Sequence, residues 1–287
     1  CSSKKYIDKE LYLSKKYKFY KKNISNKDYV FKILNKYKIN RVVNFAAYSH
    51  VDNSINDPNY FIKSNINSFN NFIDTCFKYW NSKKNIDFKF VQISTDEVFG
   101  SLKNRKGHFN EKSYYSPSSP YSSSKASTDL ILNSYAHTFN FPCITTYSCN
   151  NFGPNQYREK FIPTIIDSCI NKKSIPVYGN GKNIRQWIYV EDNVRYIHNL
   201  VVSKNNFDKY CIASKTEMTN IDLVKIICDN FSSSSTTKYN YRNLIKFVRD
   251  RKGHDNRYYM KSLHPIKKFK YGNFDENLIK TIRFYTK

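Results

Sequence analysis

Apolar residues recur along this chain in two alternating rhythms. Residues 88–93, 41–45 and 143–147 are short apolar runs of strand composition, and residues 17–24 read as a further strand. Between and after them the spacing lengthens to that of a helix. Val30, Ile33 and Leu34 mark a helix over 28–37, and Asp57-Pro58 is a start signal for a longer one over 59–80. Phe61, Ile62, Ile66, Phe69, Ile73 and Phe77 would form the apolar face of that helix, as core or as a dimer surface. Ala126, Leu130, Ile131 and Tyr135 set a helical pattern after Tyr121. Helices are also expected over 161–170, 190–202, 221–228 (with Asn220 as its N-cap) and 277–285. Residues 1–18 are polar and basic, 103–119 form a loop, and the low-complexity stretch 232–237 reads as a flexible loop. Strands alternating with helices predict an α/β fold.

The chemistry gathers between Ser94 and Lys125. The strand over 88–93 runs into Ser94-Thr95-Asp96-Glu97-Val98-Phe99-Gly100. It therefore delivers Thr95, Asp96 and Glu97 at its C-terminal end, where open α/β sheets carry their reactive groups. Tyr121 and Lys125 stand four residues apart at a helix start, hence on one helix face. An ammonium beside a phenol favours the phenolate, so Tyr121 is expected to act as a base near neutral pH. Taken alone, Asp96 and Glu97 also fit a capped turn after a strand.

Composition narrows the partners. A chain of 287 residues buries a real core, as one large domain or two smaller ones. The formal charge is +25, from 48 Lys and Arg against 23 Asp and Glu. The lysines are spread along the chain without a nucleic-acid motif, so a solvated surface is expected rather than a nucleic-acid partner. The seven cysteines are scattered with no Cys-x-x-Cys pair, which points to reduced thiols in the cytoplasm and to no metal site. No run reaches membrane-spanning length and no apolar signal segment opens the chain. The chain begins at Cys1 rather than Met and reads as an excerpt or an incomplete gene product.

The two blocks around Thr95 and Tyr121, with Ser119-Pro120-Tyr121-Ser122-Ser123-Ser124-Lys125-Ala126-Ser127, resemble the extended short-chain dehydrogenase/reductases. Within them the chain is similar to the nucleotide-sugar 4,6-dehydratases that act on dTDP-glucose or UDP-glucose. The resemblance runs along nearly the whole chain. It takes in residues 44–52, Asn150-Asn151-Phe152-Gly153-Pro154, residues 159–163, Pro176-Val177-Tyr178-Gly179, residues 185–192 and Asp250-Arg251-Lys252-Gly253-His254-Asp255. It implies a Rossmann-type doubly wound parallel sheet, N-terminally incomplete, with a smaller C-terminal substrate-binding domain. Residues 1–155 would form the NAD-binding domain without its first β-α-β unit. Residues 156–287 would mainly bind the nucleotide sugar, with about 183–205 returning to the first domain. No Gly-x-x-Gly-x-x-Gly turn occurs, and the first of the seven glycines is Gly100. These 287 residues are therefore expected to bind NAD weakly.

The resemblance also implies roles. Thr95, Asp96, Glu97, Tyr121 and Lys125 would be catalytic. Asn23, Ile24, Phe45, Ala46, Ala47, Ser64, Tyr121, Lys125 and Asn151 would face NAD. Ser49, Thr95, Asn150, Lys160, Phe161, Pro176, Val177, Tyr178, Arg185, Asn220, Asp250, Arg251 and His254 would face the nucleoside-diphosphate sugar. Some positions depart from the family pattern: Asn23 replaces an Asp that contacts adenine, Tyr48 replaces a Glu or Gln, and Tyr210-Cys211-Ile212-Ala213 stands where the family tends to have Tyr-Asn-Ile-Gly. Read without the resemblance, Arg185 fits a surface salt bridge with Glu191 or Asp192, and residues 249–255 fit a solvated charge run. The implied reaction is loss of water from the glucose unit through transient hydride transfer to NAD, in a cytoplasmic homodimer. Two alternatives stand beside it: a related NAD-dependent epimerase or decarboxylase, and a non-catalytic remnant acting as a basic binding protein.

Overall fold

The computed structural model describes residues 9–83, 86–103, 106–204, 209–234 and 239–287. In chain order, α1 (Lys9–Leu13) and α2 (Lys27–Lys36) precede β1 (Arg41–Asn44), α3 (Val51–Asn56), α4 (Pro58–Phe61) and α5 (Ser68–Ser82). Then come β2 (Lys89–Thr95), α6 (Pro120–Phe139), β3 (Cys143–Ser148), β4 (Asn150–Phe152), α7 (Phe161–Ile170), β5 (Ile175–Tyr178) and β6 (Ile184–Tyr189). The chain continues with α8 (Val190–Val202), β7 (Lys209–Ile212), β8 (Glu217–Thr219), α9 (Asn220–Ser234), β9 (Ile245–Val248) and α10 (Phe274–Thr286).

The central sheet has the order β1-β2-β3-β7 and every pairing in it is parallel. Its inner strand β2 is almost continuously buried, as a parallel strand covered on both faces must be. Alternate side chains of β2 feed different cores. Phe90 packs with Leu34, Phe69, Ile73 and Leu132 from α2, α5 and α6, whereas Val91 packs with Ile144, Ile197 and Leu200 on the α8 side. Each such fully buried side chain contributes about 1.5–3 kcal/mol. Thr95 pairs with Ser148, so β2 and β3 end together and open one edge of the sheet.

A third core joins α7, α9 and α10 to β5 and β6. Around it β6 pairs with β4 and β8, and β5 pairs with β9. Within the 183–205 segment expected to return to the first sheet, α8 packs on its core and leads towards β7, whereas β6 finds its ladder partners in β4 and β8.

Other expectations change for local reasons. Residues 17–24 form no strand: extended backbone needs a ladder, and among the described residues nothing pairs with this stretch. The short helix α1 lies within the polar, basic stretch 1–18; residues 1–8 of that stretch, and 104–105 and 235–237 of the expected loops, lie outside the described residues. The helix over 59–80 starts at Asp57 and Pro58 as expected, but residues 62–67 widen into a π-turn. The extra residue turns Asn65 inward, where it is buried. Helix α9 is capped by Thr219, whose hydroxyl accepts from the Asp222 amide at 3.1 Å; Asn220 is its first residue. Residues 232–234, expected to be loop, continue that helix.

Candidate active site

After Thr95 the chain turns sharply. Residues 96–99 form one 3₁₀ turn, capped by Thr95 Oγ1, which accepts from the Glu97 amide at 3.3 Å. Gly100 closes the turn at φ +79°. A Cβ there would lie 2.3 Å from the Ser116 carbonyl oxygen, which belongs to backbone and has little room to move. Gly100→Ala should therefore destabilise the protein by about 1–3 kcal/mol from backbone strain alone. A fall in the denaturant midpoint, with a matching loss of activity, checks this.

Helix α6 begins against this turn. Ser119 and Ser122 form a reciprocal capping box, with Pro120 in the first turn. The Tyr121 amide donates to Ser54 Oγ of α3 at 3.1 Å. Asn65 holds the neighbouring loop: its Oδ1 accepts from the Tyr48 amide at 2.8 Å, and its Nδ2 donates to Ser124 Oγ at 2.9 Å. The inward face of α6 is mostly polar, with Tyr121, Ser122, Ser124, Lys125, Thr128 and Asp129 buried beside Ala126 and Leu132. Leu130, part of the expected apolar stripe, points outward and is 58% exposed.

Thr95, Asp96, Glu97 and Tyr121 come together. The Thr95 hydroxyl donates to Asp96 Oδ1 at 3.1 Å and, beside Tyr121, favours its ionised form against the burial and carboxyl charges that oppose it. Asp96 is buried, and its second oxygen has no hydrogen-bond partner. Burial, with the Glu97 charge beside it, pushes the Asp96 carboxyl up to about 7, against the pull of Arg185. Burial also raises Glu97, opposed by Arg185, Arg251 and Lys160. Glu97 is the member of the pair that reaches the open cleft.

The expected lowering of Tyr121 by Lys125 is not what the structure has. Burial, Glu97 and Asp96 push the Tyr121 phenol up. Lys125 lies on the same helix face but donates to the Ile93 carbonyl oxygen at 2.6 Å. Four-residue spacing aligns two side chains without deciding which acceptor the longer one takes.

A cleft of about 400 Å³ opens above Glu97. Of the residues expected to face substrate, Ser49, Asn150, Lys160, Phe161, Pro176, Val177, Tyr178, Arg185, Asn220, Arg251 and His254 all line it. Thr95 sits behind it, buried. Asp250 is the exception: it accepts from His254 Nδ1 at 2.7 Å and from the Arg251 amide at 2.8 Å, holding those two residues rather than lining the cleft. Burial lowers His254, and this Asp250 bond opposes the shift.

Arg185 makes no bridge to Glu191 or Asp192. Its guanidinium is buried, donates to the Asp255 carbonyl at 2.9 Å and stacks 4.3 Å from the Tyr258 ring centre. Lys160 reaches across the cleft to the Ser49 carbonyl at 2.8 Å, and burial lowers its ammonium. His50, Asp52, Trp187 and Tyr258 also line the cleft and had been assigned no role. The first three lie inside blocks that carried the resemblance, and that was the available signal. Tyr258 had none.

On the sheet side, Phe45, Ala46 and Ala47 are exposed just past β1, where Asn44 Oδ1 accepts from the Ala46 amide at 3.1 Å. Ser64 is half-buried in the π-turn. Asn151 donates to the Cys149 carbonyl at 2.9 Å, while the buried side-chain oxygens of Asn150 and Asn151 have no hydrogen-bond partner. Asn23 accepts from the Ser25 amide at 2.9 Å in the turn before α2, beside half-buried Ile24. Among the described residues no group of three or more His, Cys, Asp or Glu is placed to hold a metal, and no helix is long and apolar enough to cross a membrane.

Comparison with known proteins points the same way. A family profile described as GDP-mannose 4,6 dehydratase matches residues 2–270. A probable dTDP-glucose 4,6-dehydratase of Sinorhizobium fredii is 36% identical over 275 residues, covering 94% of this chain and 78% of that protein. The dTDP-glucose 4,6-dehydratase of Salmonella typhimurium is 38% identical over 257 residues, 85% of this chain and 71% of the other. Among solved structures, DesIV, the dTDP-glucose 4,6-dehydratase of Streptomyces venezuelae with NAD and TYD bound, superposes with a TM-score of 0.82 at 30% identity, covering 92% of this chain and 78% of that one. With a matching profile over most of its length and relatives 36% and 38% identical across most of it, the chain belongs to the nucleotide-sugar 4,6-dehydratase family.

Proposed function

We infer that this protein dehydrates a nucleoside-diphosphate glucose, of the dTDP- or UDP-glucose class, to its 4-keto-6-deoxy form. The observation that carries the reading is the unequal carboxyl pair. Asp96 is sealed in and holds a proton near neutral pH, while adjacent Glu97 faces the cleft. Two carboxyl groups in different environments can act as acid and base in one turnover. The relatives support the same reaction class, since those reported above are dTDP-glucose 4,6-dehydratases. An epimerase or decarboxylase needs the Tyr121–Lys125 pair but has no use for the acidic pair, and is less favoured.

In this reading Tyr121 takes the C4 hydroxyl proton in its phenolate form, the minor form near neutrality because burial and the two carboxyl groups raise the phenol, and Thr95 hydrogen-bonds the same sugar oxygen. Once C4 is a ketone, the C5 proton is acidic. Glu97 removes it, and Asp96 gives its proton to the C6 hydroxyl, which leaves as water. Arg185 and Arg251 suit the diphosphate, since guanidinium forks match phosphate oxygens. Tyr178 presents a ring to the base. NAD, when bound, would supply the hydride acceptor for C4 and, reduced, the hydride donor for C6, while Glu97 hands its proton back to C5.

The residues fit that cofactor at its nicotinamide end. The buried Asn151 oxygen lacks a donor, and Ala46 and Ala47 leave the backbone open to close approach. Phe45, Ser64, Tyr121 and Lys125 would complete the contact there, and Asn23 and Ile24 would face the adenine. The test is Glu97→Gln against Tyr121→Phe with both sugar nucleotides, following NADH and product separately.

We further propose two lobes meeting at the cleft, a sheet lobe and a sugar-nucleotide lobe. The basic surface would gather doubly charged ligands rather than a nucleic acid. Among the described residues none of the six cysteines forms a disulfide, in keeping with a cytoplasmic setting. A homodimer through the helices over 59–80 and 121–139 has support in their exposed apolar residues Tyr60, Ile62, Leu130 and Phe139. Sedimentation should give a dimer, and Ile62→Glu with Leu130→Glu should give a monomer. A monomeric parent chain would refute this assembly.

A further inference from the structure

Two amide side chains stand inside the central sheet, where a buried parallel strand is usually apolar. Gln92 lies on the same face of β2 as Phe90, two residues on, and is fully buried. Parallel pairing sets Asn44 of β1 beside it, also buried. A buried amide is costly unless its donor and acceptor groups are bonded. Here the bonds form one line. Thr128 Oγ1 of α6 donates to the Lys125 carbonyl at 2.7 Å and accepts from Gln92 Nε2 at 3.3 Å. Gln92 Oε1 accepts from Asn44 Nδ2 at 2.8 Å, and Asn44 Oδ1 accepts from the Ala46 amide at 3.1 Å. The two ends fix the sense of both amides between them, since a carbonyl can only accept and a backbone amide can only donate.

We propose that Asn44, Gln92 and Thr128 are positioning residues: their line of hydrogen bonds holds the Ala46 turn, on the cofactor side of the site, in register with the helix turns that carry Tyr121 and Lys125. The inference rests on the NAD-dependent reading above. The line crosses from β1 through β2 to α6, and aligned hydrogen bonds polarise one another, so it holds or fails as a unit. The far end of the loop after β1 has anchors of its own. Asn65 bonds the Tyr48 amide and carbonyl, and Lys160 bonds the Ser49 carbonyl. The Ala46 end is therefore the part that the line governs. None of the three residues lines the sugar-nucleotide cleft.

Thr128→Val keeps the shape of the side chain and removes the hydroxyl, three bonds along the line from the Ala46 amide. Hydrogen exchange in the ligand-free full chain reads the effect at Ala46. That amide should exchange roughly three- to tenfold faster in Thr128→Val and in Gln92→Met, the weight of one buried hydrogen bond. Thr128→Ser keeps the hydroxyl and should exchange as the parent does. The double variant, Thr128→Val with Gln92→Met, should exchange no faster than the faster single one, because both changes break the same line. With NAD and dTDP-glucose, the apparent KM for NAD in NADH formation should rise by a similar factor in each single variant. The KM for dTDP-glucose should change less than about twofold.

Unchanged exchange at Ala46, multiplying effects in the double variant, or both KM values rising together would each overturn the proposal. So would an effect of Thr128→Val that Thr128→Ser shares. If Gln92→Met does not fold, Thr128→Val and Thr128→Ser carry the test. Glu97→Gln and Tyr121→Phe run beside them keep the two failures apart. If both leave dehydration intact, the functional reading falls, while exchange without ligand still decides whether the line of bonds holds the turn.

Discussion

Glu97→Gln should stop the protein halfway. Tyr121, Lys125 and Thr95 are untouched, so the C4 hydroxyl can still be oxidised and NADH should appear bound to the protein. Glutamine cannot take the C5 proton, and release of 4-keto-6-deoxy product should drop by roughly 10²–10⁴-fold, the usual weight of one acid–base step. Tyr121→Phe should give no NADH at all, because the first proton then has no acceptor. Following NADH absorbance and product mass in parallel separates the two variants. If Glu97→Gln dehydrates at the parent rate, the cleft-facing carboxyl is not the base. If it blocks NADH as fully as Tyr121→Phe, Glu97 positions the sugar and does not do the elimination.

Raising the pH through 7 should slow the elimination for a different reason. Asp96 must hold a proton to give one to the leaving hydroxyl, and its carboxyl stands at about 7. Above that value the rate should fall roughly tenfold per pH unit, and Asp96→Asn should remove this limb while lowering the rate by about 10²–10⁴-fold. In deuterated water Asp96→Asn should still exchange the C5 proton, because Glu97 remains, whereas Glu97→Gln should not. The sign for stability runs opposite to that of a salt-bridged acid. The folded-state value lies above the unfolded one, so Asp96 stabilises below about pH 4 and the gain is lost as pH rises through 7. Asp96→Asn should therefore unfold at a higher temperature than the parent at pH 8. A rate profile flat from pH 6 to 9 would remove Asp96 from the acid role.

Part of this was legible before any coordinates. The spacing of Val30, Ile33 and Leu34, the run at 88–93 and the start signal at Asp57-Pro58 are local features, and the elements formed close to where they point. Most of the cleft lining lies within the blocks that carry the resemblance, while Thr164, Asn220 and Tyr258 lie outside them. Asp250 braces Arg251 and His254, a division of labour that the motif by itself does not state, since it names neighbours without saying which faces the cleft. Residues 17–24 misled because strand composition is not a strand until another strand pairs with it.

Local pattern therefore settled the elements and the identity of the reactive groups, since propensity, capping and apolar period act over a few residues. Burial and neighbours from distant parts of the chain decided the state of each group. Asp96 holds its proton because strand, turn and cleft seal it beside Glu97, with Arg185 from β6 pulling the other way. Lys125 turns to the Ile93 carbonyl and Asp129 sits unpaired at one oxygen because α6 packs its polar face onto β2. A charge is set by the field and the solvent it meets, and those come from residues far apart in sequence.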